Sequence, residues 1–228
     1  MTTETVYKRR LAISDIHGCY NTFDSLLQTI GLSKDDSLYI LGDMINRGKH
    51  SKKVIKKILS LQNQGYSIFP LRGNHEQFVI AEIQQKQGFE LALLCNRMKL
   101  DWLLHKNTFE LKSKYISFLS HLPYYYDLGD RLLSHAGFDL CNSNIFENTY
   151  AMLHQREFTC IENLPETIKI IHGHTPISLE KIKRSIEYNQ AIINIDNGCV
   201  YKSFDPNKSN LVCLDIDSFE LFFQKNID

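Results

Sequence analysis

Three stretches near the N-terminus decide the fold: RLAISDIHG at residues 10–18, SLYILGDMINRG at residues 37–48, and YSIFPLRGNHE at residues 66–76. Each begins with a short apolar run, which predicts a β-strand, and each runs directly into a polar cluster that contains glycine. The segments between them carry apolar residues at helical spacing. This β-α-β-α-β-α order predicts an α/β architecture with a mainly parallel central sheet.

The same spacing predicts the other elements. Asn21 can cap a helix that runs to about Gly31, and a second helix is predicted over Ser51–Gln64. Residues 87–122 are predicted to be mostly helical, and six strand candidates follow: Tyr124–Leu128, Arg131–Ser134, Ile168–His172, Ala191–Ile195, Asn210–Leu214 and Phe219–Phe223. Because no internal repeat or long linker divides the chain, we expect one domain over residues 1–228.

Composition excludes several classes of protein. Hydrophobic residues make up 43% of the 228, enough to bury a core, so disorder of the whole chain is excluded. Twenty-six basic residues balance 26 acidic ones, which leaves no electrostatic basis for binding a nucleic-acid polymer or an anionic membrane. No run of about 18 apolar residues occurs, so a membrane span is not expected.

The cellular location is predicted from the N-terminus and the cysteines. The segment Met1–Arg10 is polar and lacks the apolar stretch of a secretory signal. Six scattered cysteines form no CxxC pair, so we expect reduced thiols in a cytoplasmic protein.

Five predicted strands end in short polar clusters. The clusters are Ser14–Gly18, Gly42-Asp43, Gly73–Glu76, His135–Gly137 and His172–Thr175. In open α/β folds, ligands lie at the carboxyl ends of strands. Carboxylate and amide oxygens beside imidazoles suit divalent ions such as manganese, iron or zinc, and no cysteine stands at a ligand spacing.

The clusters provide six candidate metal ligands: Asp15, His17, Asp43, Asn74, His135 and His174. With one shared carboxylate, six ligands can form two open sites whose ions lie about 3.5–4 Å apart, as in two-metal hydrolases. An isolated Asp-x-His is more often a surface feature or a helix cap, but five clusters in order at strand ends favour the metal site. His172 alternates with His174 along a strand, so we expect it to face the other way.

Taken together, the clusters resemble those of the calcineurin-like metallophosphoesterases, specifically the phosphoprotein-phosphatase type and its compact bacterial serine/threonine phosphatases. The matching motifs are SDIHG (14–18), GDMINRG (42–48), GNHE (73–76), HAG (135–137) and GHT (173–175). The resemblance extends from Leu11 to the Ile195–Cys199 stretch and the final strands. It implies a β-sandwich of mixed sheets flanked by helices, with the active site at the carboxyl ends of strands.

The resemblance also implies roles for individual residues. Asp15, His17 and Asp43 would hold one metal, while Asp43, Asn74, His135 and His174 would hold the second. Manganese is the expected ion, with iron or zinc as alternatives, and a metal-bridged hydroxide would attack phosphorus. Arg47 and Arg72 match phosphate clamps, and His75 matches the proton donor to the leaving oxygen. Arg156 falls where a third arginine is expected, although His154 replaces the tryptophan expected two residues earlier.

Two positions depart from the family pattern. Ser14 replaces a glycine, and Asn46 stands where phosphoprotein phosphatases carry an aspartate that orients and charges the catalytic histidine. An amide can accept the histidine N–H but cannot stabilise an imidazolium electrostatically. This departure keeps open the related dinucleoside-tetraphosphate hydrolases, which lack that aspartate.

The leading hypothesis is therefore a dinuclear phosphomonoesterase that acts on phosphoserine or phosphothreonine in proteins, or on a small phosphoester. The alternative is a dinucleoside-tetraphosphate hydrolase. A catalytically silent phosphopeptide-binding module is least favoured, because such a module does not need two ions. Three basic residues after the GHT motif could face an acidic or phosphorylated substrate or belong to a solvated loop: Lys181, Lys183 and Arg184.

Overall fold

The computed structural model describes residues 8–201 and 207–228. Nine strands are β1 (Arg10–Ile13), β2 (Ser37–Ile40), β3 (Ser67–Pro70), β4 (Tyr125–Asp127), β5 (Arg131–Ser134), β6 (Lys169–His172), β7 (Ile192–Asn194), β8 (Asn210–Asp215) and β9 (Leu221–Lys225) within these ranges. The α-helices described there are α1 (Tyr20–Thr29), α2 (Ser51–Asn63), α3 (Asn74–Gln84), α4 (Gly88–Arg97), α5 (Ser113–Ser120), α6 (Thr149–His154) and α7 (Leu179–Glu187). Within this part of the chain, every helix is too short or too polar to cross a bilayer. Residues 1–7 of the N-terminal segment considered above lie outside the description.

The strands form two mixed sheets, of order β3-β2-β1-β8-β9 and β4-β5-β6-β7. β1, β2 and β3 are parallel, as are β5, β6 and β7, whereas β8, β9 and β4 join antiparallel. The expected β-sandwich of mixed sheets flanked by helices is confirmed. The mainly parallel central sheet expected from periodicity is found only in part, because its parallel strands are divided between two sheets and β8 joins β1 antiparallel from the far end of the chain.

The two sheets pack face to face through apolar side chains. Residues of the first sheet, such as Tyr39 and Leu214, share a buried cluster with Ile171 and Ile193 of the second. The outer face of the first sheet packs against α1 and α2 through a larger buried cluster that includes Phe23. Burial on both faces explains why β8 is continuously apolar except at its ends.

Helix α1 shows a cap that spacing does not reveal. It begins at Tyr20 rather than after Asn21, and its N-cap residue, Cys19, makes no side-chain capping bond. The carboxylate of Asp228 instead accepts hydrogen bonds from the backbone N–H of Asn21 (3.0 Å) and Thr22 (2.9 Å). The C-terminal residue therefore satisfies donors that a local N-cap would satisfy in most helices.

The cysteines also differ from expectation. Cys141 and Cys160 form a disulfide within the segment between β5 and β6. Four other cysteines are free and buried: Cys19, Cys95, Cys199 and Cys213. The expectation of six reduced thiols is therefore wrong for one pair, since chain folding brings together two residues that are 19 positions apart.

Candidate metal centre

Six side chains converge where the parallel strands of both sheets end. Asp15 and His17 follow β1, Asp43 follows β2, and Asn74 begins α3 after β3. From the second sheet, His135 follows β5 and His174 follows β6. These six residues are the ligands predicted from the sequence, and the structure brings them together. The register explains this, since Ile13 pairs with Ile40, and Ile40 pairs with Pro70, so the strands of the first sheet end level.

One part of the cluster surrounds His17. Its Nδ1 lies 3.1 Å from the Ile45 carbonyl oxygen, which can only accept, so Nδ1 carries the hydrogen. The lone pair on Nε2 then faces Asp43 Oδ2 at 3.4 Å and Asp15 Oδ2 at 3.9 Å. His75 Nε2 lies 3.9 Å from the same Asp43 oxygen. The lone pair of His17 Nε2 therefore faces carboxyl oxygens of both Asp15 and Asp43 across this gap.

His135 organises the other part in the same way. Its Nδ1 donates to the Leu41 carbonyl at 2.8 Å, so Nε2 again presents a lone pair. This atom lies 3.0 Å from Asn74 Oδ1, 3.1 Å from His174 Nδ1 and 3.6 Å from Asp43 Oδ2. Asp43 belongs to both parts, which is the position expected for a bridging carboxylate.

The electrostatics of the cluster fit cations. Burial lowers the pKa of His17 to about 3 and that of His174 to about 4, and it holds the pKa of His135 well below its usual value. Burial, followed by neighbouring carboxylates, raises the pKa of Asp15 and Asp43. Neutral imidazoles and crowded carboxyl oxygens are poor partners for one another and good ligands for divalent ions. The residues present therefore fit two metal ions.

Glu76 holds the backbone of this centre, a role that sequence analysis did not assign to it. Its side chain is fully buried and accepts hydrogen bonds from four backbone N–H groups, those of Asp43, Met44, Ile45 and Gly73. Five non-glycine site residues have positive φ: His17, Asp43, Asn46, Arg47 and His174. Such conformations persist where the surroundings over-determine them, and the Glu76 bonds provide that restraint for the loop after β2.

The glycines before Asn74 and His174 are required by close packing. A Cβ on Gly73 would overlap Asp43 Oδ1, and one on Gly173 would overlap Asp15 Oδ1. The same carboxylate oxygens accept backbone N–H bonds from His75 (3.0 Å) and His174 (3.1 Å). The GNHE and GHT motifs therefore need glycine because each backbone lies against a candidate ligand.

The three predicted arginines have different positions. Arg47 lines the centre, where its guanidinium donates to Tyr201 Oη and lies 3.4 Å from His75 Nε2. Arg156 is exposed and also lines the centre.

Arg72 lies away from this cavity. It is only 9% exposed, and its guanidinium donates to Gln77 Oε1 (2.9 Å), Tyr124 Oη (3.0 Å) and the Ser120 carbonyl (2.6 Å). These contacts join the loop after β3 to the end of α5. The structure does not bring Arg72 to the candidate ligands, and its clamp role stays a prediction.

Asn46 and His75 are neighbours, as the resemblance implied. Asn46 Nδ2 lies 3.2 Å from His75 Nδ1, in the place where a carboxylate would orient and charge the ring. Burial and the nearby Arg47 lower the pKa of His75 to about 4. The imidazole is therefore mostly neutral near pH 7 in the metal-free protein.

Asp196 is a further buried carboxylate at the centre. It follows β7, is 1% exposed and lines the central cavity, and burial raises its pKa to about 6. Its Oδ1 accepts the backbone N–H of Gly198 at 2.7 Å. Asp196 also follows an apolar run at a strand end, so the pattern that predicted the other ligands could have identified it.

Two larger cavities adjoin the central one, whose volume is about 110 Å³. The first, the Phe78 cavity, has about 530 Å³; it shares Arg47 and Asn74 with the centre and is also lined by Phe78, Arg97, Met98 and Lys99. The second, the Tyr188 cavity, has about 520 Å³; it shares Arg156 with the centre and is also lined by Phe158, His172, Lys181, Arg184 and Tyr188. His172 thus faces a different cavity from His174, in agreement with the predicted alternation.

Comparison with known proteins gives a family match over most of the chain. The model of the calcineurin-like phosphoesterases matches residues 8–208. A symmetrical bis(5'-nucleosyl)-tetraphosphatase from Acidovorax ebreus is 46% identical over 70 residues, which are 30% of this chain and 24% of the relative. One of the same name from Buchnera aphidicola is 33% identical over 118 residues, 48% of this chain and 42% of the relative. The matches thus span less than half the length of these curated relatives.

Solved structures share the fold over nearly the whole chain. A protein provisionally described as a diadenosine tetraphosphatase gives a TM-score of 0.63 at 17% identity, covering 96% of this chain and 94% of that one. A protein serine/threonine phosphatase from Saccharomyces cerevisiae gives 0.64 at 13% identity, covering 99% and 82%. At these identities the likeness establishes the fold alone.

Proposed function

The chain belongs to the calcineurin-like phosphoesterase family, and we propose that this metal-dependent phosphoric ester hydrolase cleaves dinucleoside tetraphosphates at the central anhydride. The curated relatives named as symmetrical tetraphosphatases support this choice. From the sequence, a protein phosphatase is the leading hypothesis and this activity is its alternative. The relatives favour the alternative, while the likeness to a serine/threonine phosphatase concerns the fold.

The Phe78 cavity is the observation that carries the proposal. Phe78 is 52% exposed, and its side chain lines this cavity beside the candidate metal centre. Arg97 and Lys99 line the same cavity, and Arg47 connects it to the centre. An exposed ring beside cations matches what a nucleotide offers, since a base stacks on aromatic faces and phosphates pair with guanidinium and ammonium groups.

The candidate ligands indicate how two metal ions would be held. Asp15, His17 and Asp43 would hold one ion, and Asp43 with Asn74, His135 and His174 would hold the other. When bound, two ions supply charge neutralisation at phosphorus and acidify a water. Manganese is the ion we propose, because oxygen and imidazole ligands without thiolates suit it.

The chain's own arginines orient the substrate. The planar forks of Arg47 and Arg156 match phosphate oxygens and lie where a bound tetraphosphate would cross the centre. The oxygen of a water forms a new bond to phosphorus, the bridging P–O bond breaks, and the bridging oxygen leaves with the second half. The products are two nucleoside diphosphates, and both protons of the water are released when these products are fully ionised.

Asn46 favours an anhydride over an alkyl ester. A departing serine alkoxide needs a proton in the transition state, whereas a departing nucleoside diphosphate is a stable anion. The Asn46 amide beside His75 gives an imidazolium no carboxylate partner at that nitrogen. A centre with weak support for proton donation is therefore better matched to phosphoanhydrides than to phosphoserine.

The experiment compares two substrates on the manganese-loaded protein. We expect diadenosine tetraphosphate to yield ADP as its sole nucleotide product by chromatography, with a higher kcat/KM than a phosphoserine peptide. Phe78→Ala should raise KM for diadenosine tetraphosphate, while Phe89→Ala on α4, 76% exposed and outside the cavity lining, serves as the matched control. Faster turnover of the phosphopeptide would contradict the proposal and restore the protein-phosphatase hypothesis.

A further inference from the structure

We infer that the Tyr188 cavity is a second nucleoside subsite, which receives the half of a dinucleoside polyphosphate that the Phe78 cavity does not hold. This inference rests on the proposed function. A substrate cut at its central anhydride has two equivalent halves, each a nucleoside joined to two phosphates. With the central bond at the metal centre, each half extends away from it, and the second nucleoside needs a place of its own.

The connectivity of the cavities satisfies this requirement. Arg47 and Asn74 line both the centre and the Phe78 cavity, whereas Arg156 lines both the centre and the Tyr188 cavity. The centre therefore adjoins two cavities at different residues. Their volumes are similar, about 530 and 520 Å³.

The lining of the Tyr188 cavity has the chemistry of a nucleotide site. Tyr188, at the C-terminal end of α7, is 70% exposed and offers a ring face to a base. Phe158 packs against the buried His172 ring, with centroids 5.1 Å apart, and forms a fixed apolar wall. Beside these rings, Lys181 and Arg156 supply positive charge for the phosphates.

Helix α7 carries the three basic residues that follow the GHT motif, and two of them line this cavity. Lys181 and Arg184 line it. Arg184 pairs with Glu180 at 2.7 Å, but both side chains are mostly exposed, so the pair is weak and a phosphate can compete for the guanidinium. Lys183 lies over the Phe223 ring instead, 5.6 Å from its centroid. The basic residues after the GHT motif thus divide into two that meet this cavity and one that does not.

Calorimetric binding tests the subsite directly. The probes are ADP and diadenosine tetraphosphate with a methylene at the central bridge, which is not cleaved. We expect two ADP molecules per wild-type chain and one for Tyr188→Ala, with the analogue bound about 5- to 150-fold more weakly by that variant, the range for losing one stacked base. Tyr188→Phe keeps a ring and should retain both ADP molecules.

A matched lysine pair tests the phosphate contacts. Lys181→Ala and Lys183→Ala remove the same charge from the same helix, and only Lys181→Ala should weaken ADP binding. Cleavage of diadenosine tetraphosphate with a single ADP bound per chain, unaffected by Tyr188→Ala, would overturn the second subsite and leave the proposed function standing. Failure of the wild-type protein to cleave diadenosine tetraphosphate would overturn the proposed function, and this inference with it.

Discussion

Replacing Glu76 with glutamine should destabilise the protein through the loop that carries Asp43. Oε2 of Glu76 accepts the backbone N–H groups of Asp43 and Gly73, each at 2.9 Å, and Oε1 accepts those of Met44 (2.9 Å) and Ile45 (3.2 Å). In Glu76→Gln, one of these oxygens becomes an NH₂ group. Two buried N–H donors then face another donor, whichever way the amide is oriented.

The magnitude follows from the two donors that lose their acceptor. Each buried N–H left unsatisfied costs about 1–3 kcal/mol, so the variant should lose about 2–6 kcal/mol of unfolding free energy. Since domains are stable by roughly 5–15 kcal/mol, the loss is large but measurable. Glu76→Ala would orphan all four donors, and glutamine is therefore the better test. The assay is urea denaturation of the metal-free protein, followed by circular dichroism.

Glu82→Gln on the same helix is the matched control. Glu82 pairs with Lys86 at 2.6 Å, and both side chains are about 30% exposed, so this change should cost less than about 1 kcal/mol. Manganese affinity gives a second readout, because Glu76 holds the loop that positions Asp43. Glu76→Gln should therefore weaken the binding of manganese. A loss of less than about 1 kcal/mol in Glu76→Gln would refute the view that this carboxylate holds the loop.

Four further outcomes are expected. A chelator should abolish hydrolysis and Mn²⁺ should restore it, with two ions per chain by elemental analysis; full activity at one ion would contradict the dinuclear centre. Arg47→Ala should lower kcat/KM about 10²–10³-fold at unchanged metal content, and near wild-type kinetics would remove Arg47 from the clamp. Replacing Cys141 and Cys160 with serine should lower the unfolding free energy by about 3 kcal/mol in denaturant titrations, and an unchanged unfolding free energy would contradict the disulfide. Burial lowers the pKa of His172 to about 4, so the unfolded chain, with a value near 6.5, takes up a proton first as the pH falls. His172 should therefore contribute a loss of up to about 3 kcal/mol in the metal-free protein between pH 6.5 and 4, so the unfolding free energy of His172→Gln should fall less over this range than that of the wild type, and equal falls would contradict the reasoning.

The candidate ligands could be predicted because each belongs to a local pattern. An apolar run followed at once by a polar cluster predicts a strand end, as at Asp15 and Asp43, and parallel strands place their ends along one edge. In the structure, β1, β2 and β3 are parallel and end level with one another, as this pattern predicts. The same reasoning, continued to the end of β7, would have included Asp196.

Other features needed the folded chain because they depend on partners far away in sequence. Arg72 stands directly before a site motif, yet Ser120 and Tyr124 bind its guanidinium. Asp228 caps α1 from the opposite end of the chain. No spacing rule relates such pairs.

The division into two sheets and the cavities beside the centre have the same origin. Periodicity identifies β8 as a strand but does not say which strand it pairs with, and its pairing with β1 leaves β4–β7 to form the second sheet. Nothing in the local sequence distinguishes Phe78 and Tyr188 from other aromatic residues. The folded chain exposes their rings and places them beside basic side chains. The sequence by itself therefore determined the chemistry at the strand ends, where short-range patterns suffice. The tertiary structure alone decided the sheet pairing and the cavities around the metal centre, because both depend on contacts between residues far apart in the sequence.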